Sequence, residues 1–238
     1  MLTPFIFIMA VFFFVLQTKN AMSVVNFHAD LFEKKETIII DAGHGGEDGG
    51  TTAVNGAEEK EINLAIALAL RDLLMQDYYH VVMIRDGDYA VGDAALGTVM
   101  ERKRSDIHNR LQTIVESGEC IYVGIHQNYF TQSQYYGAQV FYSGNREESK
   151  VLAESIRKDI VGALQTENTR ENKEADGNIY ILKHCQVPAV LVECGFLSNP
   201  QEAEKLCDPD YQAEMARAIY HGINDYFIEL TANESKGS

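Results

Sequence analysis

Four short stretches of this chain carry side chains suited to hydrolytic chemistry. The first, IIIDAGHGGEDGGT, is a β-branched run that ends at Asp41 and turns through Gly43, Gly45 and Gly46 around His44. In open α/β sheets ligand sites lie at the carboxyl ends of strands, and flanking glycines let the backbone bend sharply against a bound group. A histidine in such a turn is also commonly a plain loop residue. A phosphate-binding loop is a further reading, but the Lys-Ser/Thr ending it needs is absent. The second stretch, GAEEKEINLAIALAL, puts Glu58, Glu59 and Glu61 at a helix start, where acidic residues also simply favour the helix dipole. The third, CIYVGIHQN, is an apolar strand ending in His126, and the fourth, PAVLVECGFLSNP, is another ending in Glu193. A carboxylate at the end of an apolar strand is costly to bury unless a cation, a proton or a metal compensates it. His44, His126 and Glu193 along one sheet edge would supply what a hydrolytic zinc site requires, two imidazoles and a carboxylate with a position left for water.

The elements that must position these residues alternate between short β-branched runs and longer helical periods, the pattern of an α/β sheet with covering helices. Strands are expected at Thr37 to Asp41, Val81 to Arg85, Ile121 to His126, Ala138 to Tyr142, Ile179 to Leu182 and Ala189 to Glu193. Several are almost wholly apolar, as strands covered on both faces should be. Glu61 to Gln76 places Ile62, Ile66, Ala69 and Leu73 on one stripe, and the last long segment does the same with Ile219, Ile223, Tyr226 and Leu230. Glu101 to Ser117 and Glu147 to Leu164 are further helices, and Gln165 to Asp176 is a polar, exposed loop. The expected fold is therefore a single α/β domain, residues 37–230, with a twisted, mostly parallel or mixed sheet of about six strands flanked by helices. Residues 231–238 are small and polar and are expected to be disordered.

Ahead of this domain, residues 2–16 read LTPFIFIMAVFFFVL, shorter than the roughly 20 residues that cross a bilayer comfortably. No Lys or Arg precedes the run, while Ala21-Met22-Ser23 offers a small-residue cleavage site. Residues 1–23 are expected to be a signal peptide or a membrane anchor, with 24–36 as linker. Lys and Arg number 20 against 35 Asp and Glu, a net charge of −15, which repels a nucleic-acid backbone. Cys120, Cys185, Cys194 and Cys207 have neither zinc-knot nor redox spacing. A rival enzyme class would use Cys185 or Cys194 as a thiol nucleophile with His184.

In order, the four stretches match the motifs of a known family: D-x-G-H-G-G at Asp41, E-K-D/E-x-N-L at Glu59, S-I-H-x-N at Gly124 and E-x-G-F-L/I-S-N at Glu193. From Thr37 to Phe227 the chain resembles the zinc-dependent N-acetylmuramoyl-L-alanine amidases. Two positions depart from the pattern, Gly124 in place of Ser and Cys194 where Thr is frequent. The resemblance implies that His44, Glu59 and His126 are zinc ligands and that Glu193 is the catalytic carboxylate, and it selects Glu59 from the three helix-start glutamates. It implies hydrolysis of the amide between muramic acid and L-alanine by an exported enzyme of the cell envelope, acting on peptidoglycan. The short chain, RKRSDIHNRL before the central strand and YYGAQVFYS after it are most similar to the germination-specific amidases of spore-forming bacteria. For that branch the resemblance implies removal of stem peptides in spore cortex as the first step toward muramic-δ-lactam. It leaves open attachment to a membrane through residues 2–16 and an activating protein partner. The non-enzymatic alternative, a wall-binding module with a degenerate site, is disfavoured because all four expected positions are filled.

Overall fold

The computed structural model describes residues 36–237, so the expected signal or anchor segment and most of the linker lie outside the described residues. One mixed sheet has the order β2-β1-β3-β6-β4-β5, with β1 at Thr37–Ala42, β2 at His80–Met83, β3 at Ile121–Asn128, β4 at Gln139–Tyr142, β5 at Lys173–Glu174 and β6 at Ala189–Phe196. β2, β1, β3 and β6 run parallel, and β4 pairs antiparallel with β6. Among the described residues six helices accompany it: α1 at Glu59–Gln76, α2 at Val99–Ser117, α3 at Glu147–Ala163, α4 at Tyr180–His184, α5 at Pro200–Leu206 and α6 at Pro209–Gly237. Among the described residues no helix is long and apolar enough to cross a membrane.

Side chains alternate along a strand, and both faces of this sheet are covered. Ile38, Ile40, Val123, Ile125, Val190 and Val192 pack with Ile66 and Leu70 of α1, Ile156 of α3 and Ile223 of α6. Ile39, Tyr122 and Leu191 turn the other way, toward Ile114 of α2 and Ile181 and Leu182 of α4. Each fully buried Ile or Leu contributes about 1.5–3 kcal/mol relative to exposure, which is why the central strands are continuous apolar runs.

The structure corrects the sequence reading at four elements. Ile179 to Leu182, expected as a strand, begins the one-turn helix α4, and the sixth strand is instead the exposed pair Lys173–Glu174, which lies inside the stretch expected to be loop. A short apolar run cannot be assigned by periodicity alone; here the adjacent Ile181 and Leu182 enter the same cluster, which strand alternation would prevent. The carbonyls at the end of α4 are taken by Asn145, whose side-chain amide donates to Leu182, Lys183 and Cys185. Helix α5 escaped periodicity because it has only seven residues. Finally, α6 runs on to Gly237, across the expected disordered tail. Extending an existing helix costs no new nucleus, and no proline interrupts residues 231–237.

Candidate metal centre

Three of the four singled-out residues meet where β1, β3 and α1 converge. β1 and β3 are paired up to Ala42 and Ile125, so His44 leaves β1 beside His126. His44 has φ +63°, the left-handed region that non-glycine residues rarely adopt. Its ring stands edge-on to that of His126, with centroids 5.1 Å apart. Glu59, the first residue of α1 and almost fully buried, lies between them. Its Oε2 is 3.3 Å from His44 Nε2 and its Oε1 is 3.1 Å from His126 Nδ1. One donor atom from each of the three lies within 4.8 Å of the other two. Two imidazoles and a carboxylate are a donor set that fits zinc.

The carboxylate is held firmly. Backbone N–H groups of Thr51 and Gln127 donate to it at 2.9 and 3.1 Å, and Asn63 donates from one turn further along α1. Burial opposes its charge, but His126 and His44 outweigh burial and keep its pKa far below the usual carboxylate range. For His44 burial again works against the charged form, and the hydrogen bonds to Asp48 and Glu59 overcome it, lifting the pKa to about 9. Asp48 accepts from His44 Nδ1 at 3.0 Å, which turns Nε2 toward Glu59. A carboxylate behind a ligating histidine fixes its tautomer and ring direction.

The rest of the two N-terminal motifs ties the turn to the helix. Asn63 donates to Gly43 O at 3.2 Å, and Lys60 donates to Gly46 O at 2.8 Å and to Asp88 at 3.0 Å. Two buried arginines absent from the sequence expectation complete the cradle. Arg85 donates to the carbonyls of Ala42, Gly43 and Lys60. Arg110, on α2, donates to His44 O at 2.6 Å while ion-paired with Asp41 and Asp106. Tyr122 OH donates to the other oxygen of Asp41 at 2.8 Å. Their signal in the sequence was weak, since arginines on a polar helix or at a strand end read as surface residues. Gly124 also finds its reason here: a Cβ would sit 2.9 Å from the Tyr122 hydroxyl, so the usual serine would crowd the ring that reaches Asp41.

Gly43 has no room for a side chain, because its Cβ would fall 2.2 Å from His126 Cε1. Gly43→Ala is expected to push the His126 ring away from Glu59 and reduce metal affinity roughly 5- to 150-fold, an overpacking effect of about 1–3 kcal/mol; metal titration of the purified variant checks this. Unaltered affinity would mean that the turn yields without disturbing the ring.

Glu193 faces the same space from β6, level with His126 in the β3–β6 register. Its Oε2 is buried and has no hydrogen-bond partner. Burial pushes its pKa up to about 7, with His126 opposing and Glu59 adding to the rise. With His44 and His126 it lines a cleft of about 830 Å³ bordered by α2 and by the segment at Ile179 to Ile181. The remainder of its motif is structural. Asn199 caps α5 by accepting from Gln201 and Glu202 N–H, and Glu202 accepts from the backbone of Phe196 and Gly137, fixing the end of β6.

The thiol alternative has no nucleophile to use. Cys185 and Cys194 are fully buried, and burial raises the pKa of both. The His184 ring packs at a tilt against Tyr180, with centroids 4.4 Å apart. Glu58 pairs with Lys60 at 3.4 Å, and Glu61 is exposed, so neither joins the donor group.

Comparison with known proteins is consistent with this geometry. A family model described as N-acetylmuramoyl-L-alanine amidase matches residues 38–225. The germination-specific N-acetylmuramoyl-L-alanine amidase of Bacillus subtilis is 36% identical over 224 residues, covering 94% of this chain and 92% of the relative. Among solved structures, the CwlD amidase of Clostridioides difficile, in complex with the GerS lipoprotein, superposes with a TM-score of 0.79 at 40% identity, covering 81% of this chain and 98% of that one. The amidase AmiC2 of Nostoc punctiforme superposes with a TM-score of 0.68 at 27% identity, covering 81% and 97%.

Proposed function

The chain belongs to the N-acetylmuramoyl-L-alanine amidase family, and from that premise we propose that it is a zinc enzyme that strips stem peptides from spore-cortex peptidoglycan, using Glu193 as its general base. The enzyme class is that of an amidase cleaving the bond between N-acetylmuramic acid and L-alanine. The observation that carries the finer reading is the Glu59 carboxylate clasped between His44 and His126, with the unpartnered Glu193 oxygen beside it.

His44, Glu59 and His126 would hold the ion. When bound, zinc acts as a Lewis acid that makes water a competent nucleophile near neutral pH and polarises a carbonyl. Glu193 removes a proton from the attacking water as the new C–O bond forms at the lactyl carbonyl of muramic acid. As the C–N bond breaks, the same carboxyl passes that proton to the departing nitrogen of L-alanine, so the amide yields a carboxylic acid and a free amino terminus. A pKa of about 7 suits a group that must accept and then release a proton. Asp48, Arg110 and Arg85 do no chemistry; they keep the His44 turn in place.

The function is tested by measuring zinc content together with release of L-alanine-terminated peptides from cortex peptidoglycan. About one zinc per chain, with release abolished by a chelator and restored by zinc, is expected. Because His44 in the metal-free chain has a pKa of about 9, zinc binding at pH 7.5 should expel about one proton, read by calorimetry in buffers of different ionisation enthalpy. Release from metal-free protein would overturn the mechanism, and release confined to vegetative wall would overturn the cortex assignment. Exclusion from the cytoplasm through residues 1–23, as a signal or an anchor, belongs to this proposal. So does a lipoprotein partner of the kind solved with the Clostridioides difficile amidase.

A further inference from the structure

Helix α2 carries four cationic side chains beside the catalytic cleft, Arg102, Lys103, Arg104 and Arg110, and among the described residues all but one are neutralised within the fold. Arg102 pairs with Glu47, Lys103 with Asp48, and Arg110 with Asp41 and Asp106. Arg104 is exposed and, among the described residues, makes no hydrogen bond or ion pair. In a chain of net charge −15, a free guanidinium beside an active-site cleft is out of keeping with its surroundings. It borders a second cavity of about 680 Å³ together with Leu96, Ile107, His108 and Tyr180. Ile107 and Tyr180 belong also to the cleft that holds His126 and Glu193, so the two spaces adjoin. Arg104 and His108 are four residues apart on one helix and so project from the same face. The acidic member of the cavity, Glu101, already accepts from Thr98 backbone N–H and hydroxyl in the capping box of α2, and Ser105 accepts from Asp93 N–H.

We propose that this cavity is a carboxylate-recognising subsite, in which Arg104 and His108 bind an acidic side chain of the stem peptide while Tyr180 and Ile107 pack against its aliphatic carbons. The inference rests on the amidase reading and adds a determinant of which peptides are cut. The charge decides the class of ligand: a neutral glycan offers an unpaired guanidinium hydrogen-bond acceptors but no opposing charge, whereas the stem peptide bears carboxylates beyond its L-alanine. A planar guanidinium with a ring N–H beside it suits a carboxylate. The site is open to solvent, so its contribution is moderate and falls with salt.

The test compares two muramyl peptides that differ only in whether the carboxylates beyond L-alanine are free or amidated, using the full zinc-loaded chain. The wild type is expected to favour the free acid about tenfold in kcat/KM, through KM, as a charge-assisted contact at a partly exposed site allows. In Arg104→Gln that ratio should fall to near one, and Arg104→Lys should restore part of it, with the wild-type preference shrinking between 50 and 500 mM salt. A wild type indifferent to amidation, or an Arg104→Gln enzyme that loses equally on both peptides, overturns the subsite. Hydrolysis of N-acetylmuramoyl-L-alanine itself by the wild type reports separately on the amidase reading, since that substrate carries nothing beyond L-alanine to reach the cavity.

Discussion

Glu193→Gln is expected to lower turnover by about 10²- to 10⁴-fold while leaving zinc bound at one ion per chain, because it removes a proton acceptor and no ligand. The substitution preserves shape, and the affected Oε2 has no partner to lose. It should also stabilise the metal-free protein, and the sign depends on pH. Burial raises the Glu193 pKa from 4.5 to about 7, so the folded state holds this proton more tightly than the unfolded state does. Below pH 4.5 the carboxyl is neutral in both states and costs nothing. As pH rises through the window from 4.5 to about 7 the penalty for an ionised buried carboxylate grows, and above pH 7 it is complete, at up to about 3 kcal/mol. The melting temperature of the glutamine variant should therefore exceed that of the wild type at pH 8 and match it near pH 4.5. An enzyme that kept a tenth of its turnover, or one that lost zinc along with activity, would remove Glu193 from the role of base.

The second large effect is expected at Glu59. Glu59→Gln keeps the volume but removes the negative charge on which two imidazoles converge, and its amide N–H₂ would face the N–H of Thr51 or of Gln127. A buried donor set against a donor costs about 1–3 kcal/mol, and loss of the anionic ligand weakens the zinc site directly. Zinc affinity should fall by two or more orders of magnitude, more than the 10- to 100-fold typical of a supporting group such as Asp48. Competition with a chromogenic chelator reads the difference. Because Glu59 also pins the β3 end through Gln127 N–H, the metal-free variant should melt several degrees lower. Full zinc occupancy at nanomolar free metal in Glu59→Gln, with loss of metal in Glu193→Gln, would exchange the two assignments.

The central strands were read nearly to their ends because burial on both faces leaves an unmistakable apolar run, as in Ile38 to Ile40 and Ala189 to Val192. The segment at Ile179 failed because four apolar residues are compatible with either a strand or one helical turn, and only packing against Ile114 and Cys185 chooses between them. Residue types alone suggested Glu193 as the carboxylate partner of His44 and His126. The family resemblance pointed to Glu59, which the turn before α1 delivers between the rings, while β6 carries Glu193 level with His126.

By itself, then, the chain's covalent order determined which chemistry could occur: two imidazoles and two carboxylates at element ends, glycines where a backbone must turn, and apolar runs that had to be covered. Tertiary structure alone decided how the two carboxylates differ. Whether a carboxylate ligates or accepts a proton depends on what surrounds it, and two rings with three N–H donors keep Glu59 ionised. An apolar strand end with no donor keeps Glu193 near neutrality. The same holds for the cations of α2, identical in charge along the sequence, where only folding shows that Arg110 donates to the His44 carbonyl and that Arg104 has no partner among the described residues.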